Sequence, residues 1–276
     1  MYEYGIAGTY VPAKIKGDVY KMEIIAVANQ KGGVGKTTTV INIGAGLAYQ
    51  NKKVLVVDLD PQNHLSRFLG YTPDGKPTMS ELIHQEVSQI NLCDTKQFVR
   101  RSKFNVDYIP CNNMLSGAVS ILGMDSDSTT VIKRIFTSTY FDDYDYILFD
   151  CSPSLDLIVT NALTSCDKLL IPVQSELWAF EGVNQMLNIF LRIKGNDLKK
   201  HLLGILLTMY RKNTTMSKSV YQAAKESYGD FVFDFFIPFR AEVSNSTALN
   251  TCPVLIKSSE VGNEYMKIVK KIINEE

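Results

Sequence analysis

Short apolar runs alternate with stretches of helical periodicity along most of this chain, and the change of period marks out its elements. Runs at residues 23–28, 53–58, 106–110, 146–150, 169–173, 203–209 and 231–237 are mostly apolar at consecutive positions, as in strands covered on both faces. Between them, apolar residues recur at helical intervals over 36–49, 128–139, 157–165, 176–193, 215–227 and 259–274, which predicts helices. Alternation of this kind builds βαβ units. The expected fold is therefore α/β, a mainly parallel twisted sheet with helices on both faces. Ligands of such sheets bind beyond the carboxyl ends of the strands, so residues far apart in sequence can meet in one site. No internal repeat or long linker interrupts the pattern, and residues 22–276 read as one domain behind an extension of residues 1–21.

The first strand end carries Lys31-Gly32-Gly33-Val34-Gly35-Lys36-Thr37-Thr38, a glycine-rich loop leading into a helix. Glycines remove the Cβ atoms that would keep a backbone from wrapping an anion, and the helix adds its own N-terminal donors. The fold expected is thus of the P-loop NTPase type. By the ordinary P-loop pattern, Lys36 would reach the β- and γ-phosphates and the Thr37 hydroxyl would ligate Mg²⁺. That pattern fails in one respect, because its first glycine would fall at Gln30, and a second lysine, Lys31, opens the loop instead.

Two further strand ends carry carboxylates. Val57-Asp58-Leu59-Asp60-Pro61-Gln62 sets two acids one residue apart and stops the strand with proline, which suits work on water or metal; alone, it would also suit a solvated Asp-Pro turn. Tyr146-Ile147-Leu148-Phe149-Asp150 delivers one aspartate at the end of an apolar strand, where a carboxylate can hold Mg²⁺ beside Thr37. Ser154 or Asp156 is the better N-cap for the helix that follows. Two late strand ends, Thr208-Met209-Tyr210 and Pro238-Phe239-Arg240, are softer signals that serve packing equally well.

The loop K-G-G-V-G-K-T-T resembles the deviant Walker A of the ParA/MinD family of ATPases, and the other motifs follow in that family's order over residues 22–274. D-x-D-P-Q at residues 58–62 and Pro-Val-Gln-Ser-Glu at residues 172–176 are similar to the ParA/Soj branch. The resemblance implies an ATPase using ATP and Mg²⁺, with residues 31–38 around the phosphates and Lys31 reaching a partner's nucleotide across a homodimer. It implies that Asp60 positions the attacking water, that Thr37, Asp150 and Asp58 serve the metal, and that Met209 and Pro238 enclose the adenine. It implies DNA partitioning, with a ParB-type partner and nucleotide-gated, sequence-independent DNA binding at a nucleoid. Arg211, Lys212, Lys218 and Arg240 are the DNA-backbone candidates, and each would equally suit a solvated basic face. Three positions depart from the pattern: Asn63 stands where glycine commonly follows D-P-Q, Ser152 where proline or alanine is frequent, and Glu242 where an arginine is often used for DNA.

Composition narrows the alternatives. The formal net charge is zero, but residues 191–276 hold 13 Lys+Arg against 9 Asp+Glu, so a polyanion would meet the C-terminal part more favourably. Five scattered cysteines form no C-x-x-C pair, which argues against a zinc site or disulfide framework and for a reducing cytoplasm. No apolar run approaches the ~20 residues that span a bilayer. Residues 1–21 lack a secretory apolar core and are too few for a helix-turn-helix domain. A membrane-cycling relative of the MinD kind would need a lipid-seeking C-terminal helix. Residues 261–273 have the spacing but lack the aromatic, strongly basic character, so packing on the sheet is expected. A nucleotide-gated adaptor without turnover is the remaining alternative, and Asp60 speaks against it.

Overall fold

The computed structural model describes residues 22–90, 93–176 and 179–274, so the extension at residues 1–21 lies outside the described residues. The chain runs β1 (Glu23–Val27), α1 (Lys36–Tyr49), β2 (Val54–Leu59), α2 (His64–Phe68), α3 (Met79–Ser88), β3 (Arg100–Arg101) and β4 (Asp107–Ile109). It continues through α4 (Leu115–Leu122), α5 (Val131–Phe136), β5 (Tyr146–Cys151), α6 (Leu157–Ser165), β6 (Lys168–Gln174) and α7 (Ala179–Lys194). The last elements are α8 (Leu198–His201), β7 (Leu202–Thr208), α9 (Thr215–Tyr228), α10 (Ala241–Ala248) and α11 (Glu260–Asn274). Among the described residues the strands form one sheet in the order β3-β4-β2-β5-β1-β6-β7, parallel throughout except for β3.

Both faces of this sheet are dry. Ile24, Ala26 and Ala28 of the first run face α3 to α7 and α9, whereas Ile25 and Val27 face α1, α2 and α11. The two-residue period of a strand sends neighbours to opposite sides, so a strand covered twice must be apolar at nearly every position. On its second face α11 lays down Val261, Tyr265, Ile268, Val269 and Ile272, all buried. That is the packing role expected of residues 259–274, and it takes up the apolar side that a lipid surface would need.

Two expectations need correction. Residues 231–237 do not form a strand: a short 3-10 turn, Gly229–Phe231, precedes a chain that makes isolated bridges, Val232 with Ile205 of β7 and Pro238 with Tyr210 just beyond it. Phe233 N and Ile237 N donate to Ile205 and Leu207 carbonyls at 3.1 and 2.8 Å, but no continuous ladder joins these two bonds. The helix expected over residues 128–139 is only Val131–Phe136 followed by a 3-10 turn. The short elements α2, α3, α4, α8, α10 and the antiparallel edge strand β3 have no counterpart in the pattern of apolar runs. As expected, Asp156 caps α6, accepting from Ile158 N at 2.9 Å and Val159 N at 3.1 Å.

Close approach of backbone fixes the position of α11. A Cβ on Gly262 would stand 2.1 Å from the Pro253 carbonyl oxygen, which a real side chain cannot tolerate. On Gly117 of α4 a Cβ would meet nothing within 4 Å. Gly262→Ala should therefore cost roughly 2 kcal/mol or more. Gly117→Ala should be neutral or stabilising by up to about 1 kcal/mol. Urea unfolding of both variants checks the pair, and equal effects would contradict the packing described for α11.

Candidate functional site

The loop after β1 is tied at both ends before any ligand enters. Asn29, buried, donates its Nδ2 to the Pro172 carbonyl at 2.7 Å and accepts from Lys31 N at 3.0 Å. Thr208, at the end of β7, donates its hydroxyl to the Val34 carbonyl at 2.8 Å. Gly35 then takes φ +90, in the left-handed region that suits glycine, and opens α1 without a side-chain cap. The first intrahelical bond of α1 runs from Thr39 N to the Gly35 carbonyl, at 2.9 Å. The N–H groups of Lys36, Thr37 and Thr38 thus precede the ladder, as donors for an anion.

The two lysines are held differently. Lys36 folds back over the loop and donates to the Lys31 carbonyl at 3.0 Å. Burial pushes its ammonium below the usual lysine range, opposed by the negative charge of Asp150. Lys31 instead forms an ion pair with Glu176 of the same chain, each side chain 37% exposed. Glu176 was read only as part of a motif, and its contact with Lys31 was not foreseen.

Parallel pairing puts Val27, Asp150 and Asp58 in register across β1, β5 and β2, so both carboxylates reach the strand ends beside the loop. Asp58 is fully engaged. It accepts from Ser66 N at 2.9 Å, Ser66 Oγ at 2.6 Å and Asp60 N at 3.1 Å. Ser66 also accepts from Cys111 N at 3.0 Å, and the Cys111 thiol donates to the Asp60 carbonyl at 2.8 Å. The turn that carries Asp60 is thereby fastened to β2 and to the residues following β4. Ser66 was missed in the sequence because a lone serine five positions after a proline carries no pattern.

Asp150 is the opposite case. It is 1% exposed, and neither carboxylate oxygen has a hydrogen-bond partner of good geometry. Burial, and then the charge of Asp58, push its carboxyl well above the usual range, while the nearby Thr37 hydroxyl and Lys36 pull the other way. A buried, unpartnered carboxylate next to a hydroxyl and an anion cradle fits a hard cation bound through few protein ligands and completed by phosphate and water. No cluster of three or more His, Cys, Asp or Glu side chains suited to a metal occurs among the described residues, so the protein alone offers no full cage.

Met209 and Pro238, predicted as base-pocket residues, line one cleft of about 100 Å³ together with Gly35, Thr38, Phe239 and Arg240. Met209 takes φ +52 to turn the chain there. The structure thus brings the loop, the carboxylates and both late strand ends to one edge of the sheet. The four basic candidates are less uniform: Lys212 and Arg240 both pair with Glu260, the Arg211 guanidinium lies 3.7 Å over the Phe239 ring, and Lys218 has no partner among the described residues.

A family model described as an AAA domain matches residues 22–203. The sporulation initiation inhibitor protein Soj of Bacillus subtilis (strain 168) is 35% identical over 254 residues, covering 91% of this chain and 98% of that protein. The chromosome partitioning protein ParA of Caulobacter vibrioides is 31% identical over 259 residues, 92% of this chain and 95% of that one. Among solved structures, cobyrinic acid a,c-diamide synthase from Mycobacterium smegmatis with bound ATP analog and magnesium superposes with a TM-score of 0.76 at 30% identity, over 92% of this chain and 95% of that one.

Burial pushes the carboxyls of both aspartates above their usual range, but only Asp58 sets accepted hydrogen bonds from Ser66 and Asp60 against that cost, so the two should respond oppositely to neutralisation. The folded-state pKa of Asp150 is raised, so the folded protein holds that proton more tightly than the unfolded chain. Stability is lost as pH rises from the ordinary carboxylate range through the raised value. Asp150→Asn should therefore stabilise the nucleotide-free protein at neutral pH, by about 1–3 kcal/mol. Asp58→Asn, which weakens three accepted hydrogen bonds, should destabilise it by about 2 kcal/mol. Thermal unfolding without nucleotide checks both signs, and a lower Tm for Asp150→Asn would contradict the account.

Proposed function

The chain belongs to the AAA-domain family of ParA/Soj-type partition ATPases, and on that premise we propose that its two loop lysines serve different nucleotides, one its own and the other that of a second copy. The reaction joins the oxygen of water to the γ-phosphorus of ATP as the bond to the β,γ-bridging oxygen breaks, leaving ADP and phosphate. In this reading the N–H groups of residues 32–38 and Lys36 hold the phosphates, and Met209 and Pro238 flank the base. Thr37 and Asp150 would hold Mg²⁺, which offsets phosphate charge when bound, and Asp58 acts from behind by fixing the turn. Asp60, at the end of that fastened turn, orients the water. Phosphoryl transfer asks for such positioning and charge compensation rather than a protein nucleophile.

The observation that carries the division of labour is the Lys31–Glu176 ion pair. Within one subunit Lys31 is engaged on the far element of the site, while Lys36 alone folds over the loop. Lys31 therefore serves phosphate only after leaving Glu176, and a second subunit's triphosphate is the anion that draws it away. ATP-dependent homodimerisation, implied by the resemblance of Lys31 to the deviant Walker A lysine, is the state in which this exchange occurs. Dimerisation doubles the basic surface offered by the C-terminal part, which supports ATP-gated, sequence-independent DNA binding at the nucleoid. A ParB-type partner that stimulates hydrolysis would then release the DNA. The membrane-cycling alternative loses support because the apolar side of α11 is in the core.

Lys31→Ala should keep appreciable nucleotide binding, lose the ATP-dependent dimer and slow turnover by roughly 10²-fold or more. Light scattering after size exclusion, run with a non-hydrolysable ATP analogue, reads the dimer, and phosphate release with DNA present reads turnover. Unchanged dimerisation and turnover would remove Lys31 from the role proposed.

A further inference from the structure

The cations gathered near the base cleft are already occupied by an internal anion. Lys212 Nζ meets one carboxylate oxygen of Glu260 at 2.8 Å, and Arg240 meets the other through Nε at 2.8 Å and a terminal nitrogen at 2.7 Å. Lys212 first, and then Arg240, hold the Glu260 carboxyl below its usual range. The carboxylate thus presents two oxygens to a lysine and a two-pronged arginine, the arrangement in which these side chains also take a phosphate's unesterified oxygens. Nothing buries this network: Lys212, Arg240 and Glu260 side chains are 54%, 48% and 37% exposed.

We propose that Glu260 occupies the seat of a nucleic-acid backbone phosphate between Lys212 and Arg240, and that DNA binds this face by displacing it. The inference rests on the DNA-binding reading above and deepens it by naming the seat and its internal competitor. Exposed ion pairs of this kind are individually weak, so a polyanion that brings several phosphates at once can replace one carboxylate.

The same network touches the base cleft. Arg240 lines that cleft with Met209, Pro238 and Phe239, and the two segments are pinned together by Tyr210 N to the Ile237 carbonyl at 3.0 Å and Phe239 N to the Tyr210 carbonyl at 2.9 Å. Lys212 follows one segment and Arg240 ends the other. A base seated between Met209 and Pro238 therefore sets the spacing of the two cations that grip Glu260, which gives the nucleotide a direct hold on the phosphate seat. Arg211, stacked on Phe239, and Lys218, without a partner among the described residues, extend the surface beyond the seat itself.

The test is anisotropy of a labelled random-sequence DNA duplex, titrated with wild-type protein, Glu260→Gln and Glu264→Gln, each without nucleotide, with ADP and with ATP, over a range of salt. Glu264 lies one turn further along α11 and pairs with Lys267, so its variant carries the same charge change away from the seat. Glu260→Gln should bind about tenfold more tightly than wild type without nucleotide, the equivalent of two exposed pairs released, and Glu264→Gln should match wild type. Adding Lys212→Gln or Arg240→Gln to Glu260→Gln should abolish the gain. Equal gains in the Glu260 and Glu264 variants would show an effect of net charge alone and overturn the proposal, and so would a Glu260→Gln protein with wild-type affinity. Wild-type binding that appears with ATP while Glu260→Gln gains nothing would overturn the seat and leave ATP-gated DNA binding standing. No binding by any variant in any nucleotide state would overturn both.

Discussion

A carboxylate buried without a donor is the constraint on which this site depends. Asp150 reaches the edge of the sheet inside a strand that is dry on both faces, beside a second buried acid, with only Lys36 and the Thr37 hydroxyl to offset it. A protein interior does not tolerate that arrangement without cost, because desolvation of an ion is far larger than one nearby ammonium returns. The cost is carried in the free protein, and in the function proposed above it is relieved when a cation and a phosphate chain arrive together. Asp58 shows the contrast: set one strand away at the same register level, it is hydrogen-bonded on both oxygens and does structural work on the turn that carries Asp60.

Everything else at this edge positions charge around that centre. The order β2-β5-β1-β6-β7 places the ends of five parallel strands side by side, and each contributes one part: the acidic turn, Asp150, the loop, the stretch leading to Glu176, and Thr208 with Met209. Because Thr208 bonds to the loop and Met209 lines the cleft beside it, the end of β7 joins the phosphate loop to the base cleft proposed above. Near the loop and the cleft, cations are held by carboxylates of the same chain in two pairings that matter here, Lys31 by Glu176 and Lys212 with Arg240 by Glu260. In both, an anion from outside must compete with one the chain already supplies. Such a protein rests in a self-neutralised state and acts when a better anion is offered.

The features legible in the sequence are those in which local pattern and chemistry agree. Consecutive apolar residues mark β1, β2, β5, β6 and β7 because both faces of each are covered, and the loop at residues 31–38 is legible because glycines, flanking lysines and position after a strand coincide. What was not legible is set by contacts distant in sequence. The run at residues 231–237 has strand composition, but whether it joins a ladder depends on its pairing with β7, which local propensity cannot report. The short helices α2, α3 and α4 escaped because a few turns packed on a sheet need little periodicity of their own. Glu176 lies 145 residues from Lys31, and Glu260 lies 48 from Lys212, so no spacing rule connects either acid to its lysine. The functional class was therefore readable from the strand ends, whereas the internal competitors for its cations were visible only in the folded chain.

The central claim is that burial holds the Asp150 carboxyl toward its protonated form in the free protein and that the magnesium-bound nucleotide draws out the carboxylate. Proton release on binding tests it most directly: calorimetric titration of magnesium-ADP in buffers of different ionisation enthalpy, from mildly acid to neutral pH. The account predicts that binding releases protons, with a pH profile set by a carboxyl well above its usual range, and that the release disappears when Asp150 is replaced by Asn. Binding with no proton exchange at any pH, or with the same exchange in the variant, would contradict it.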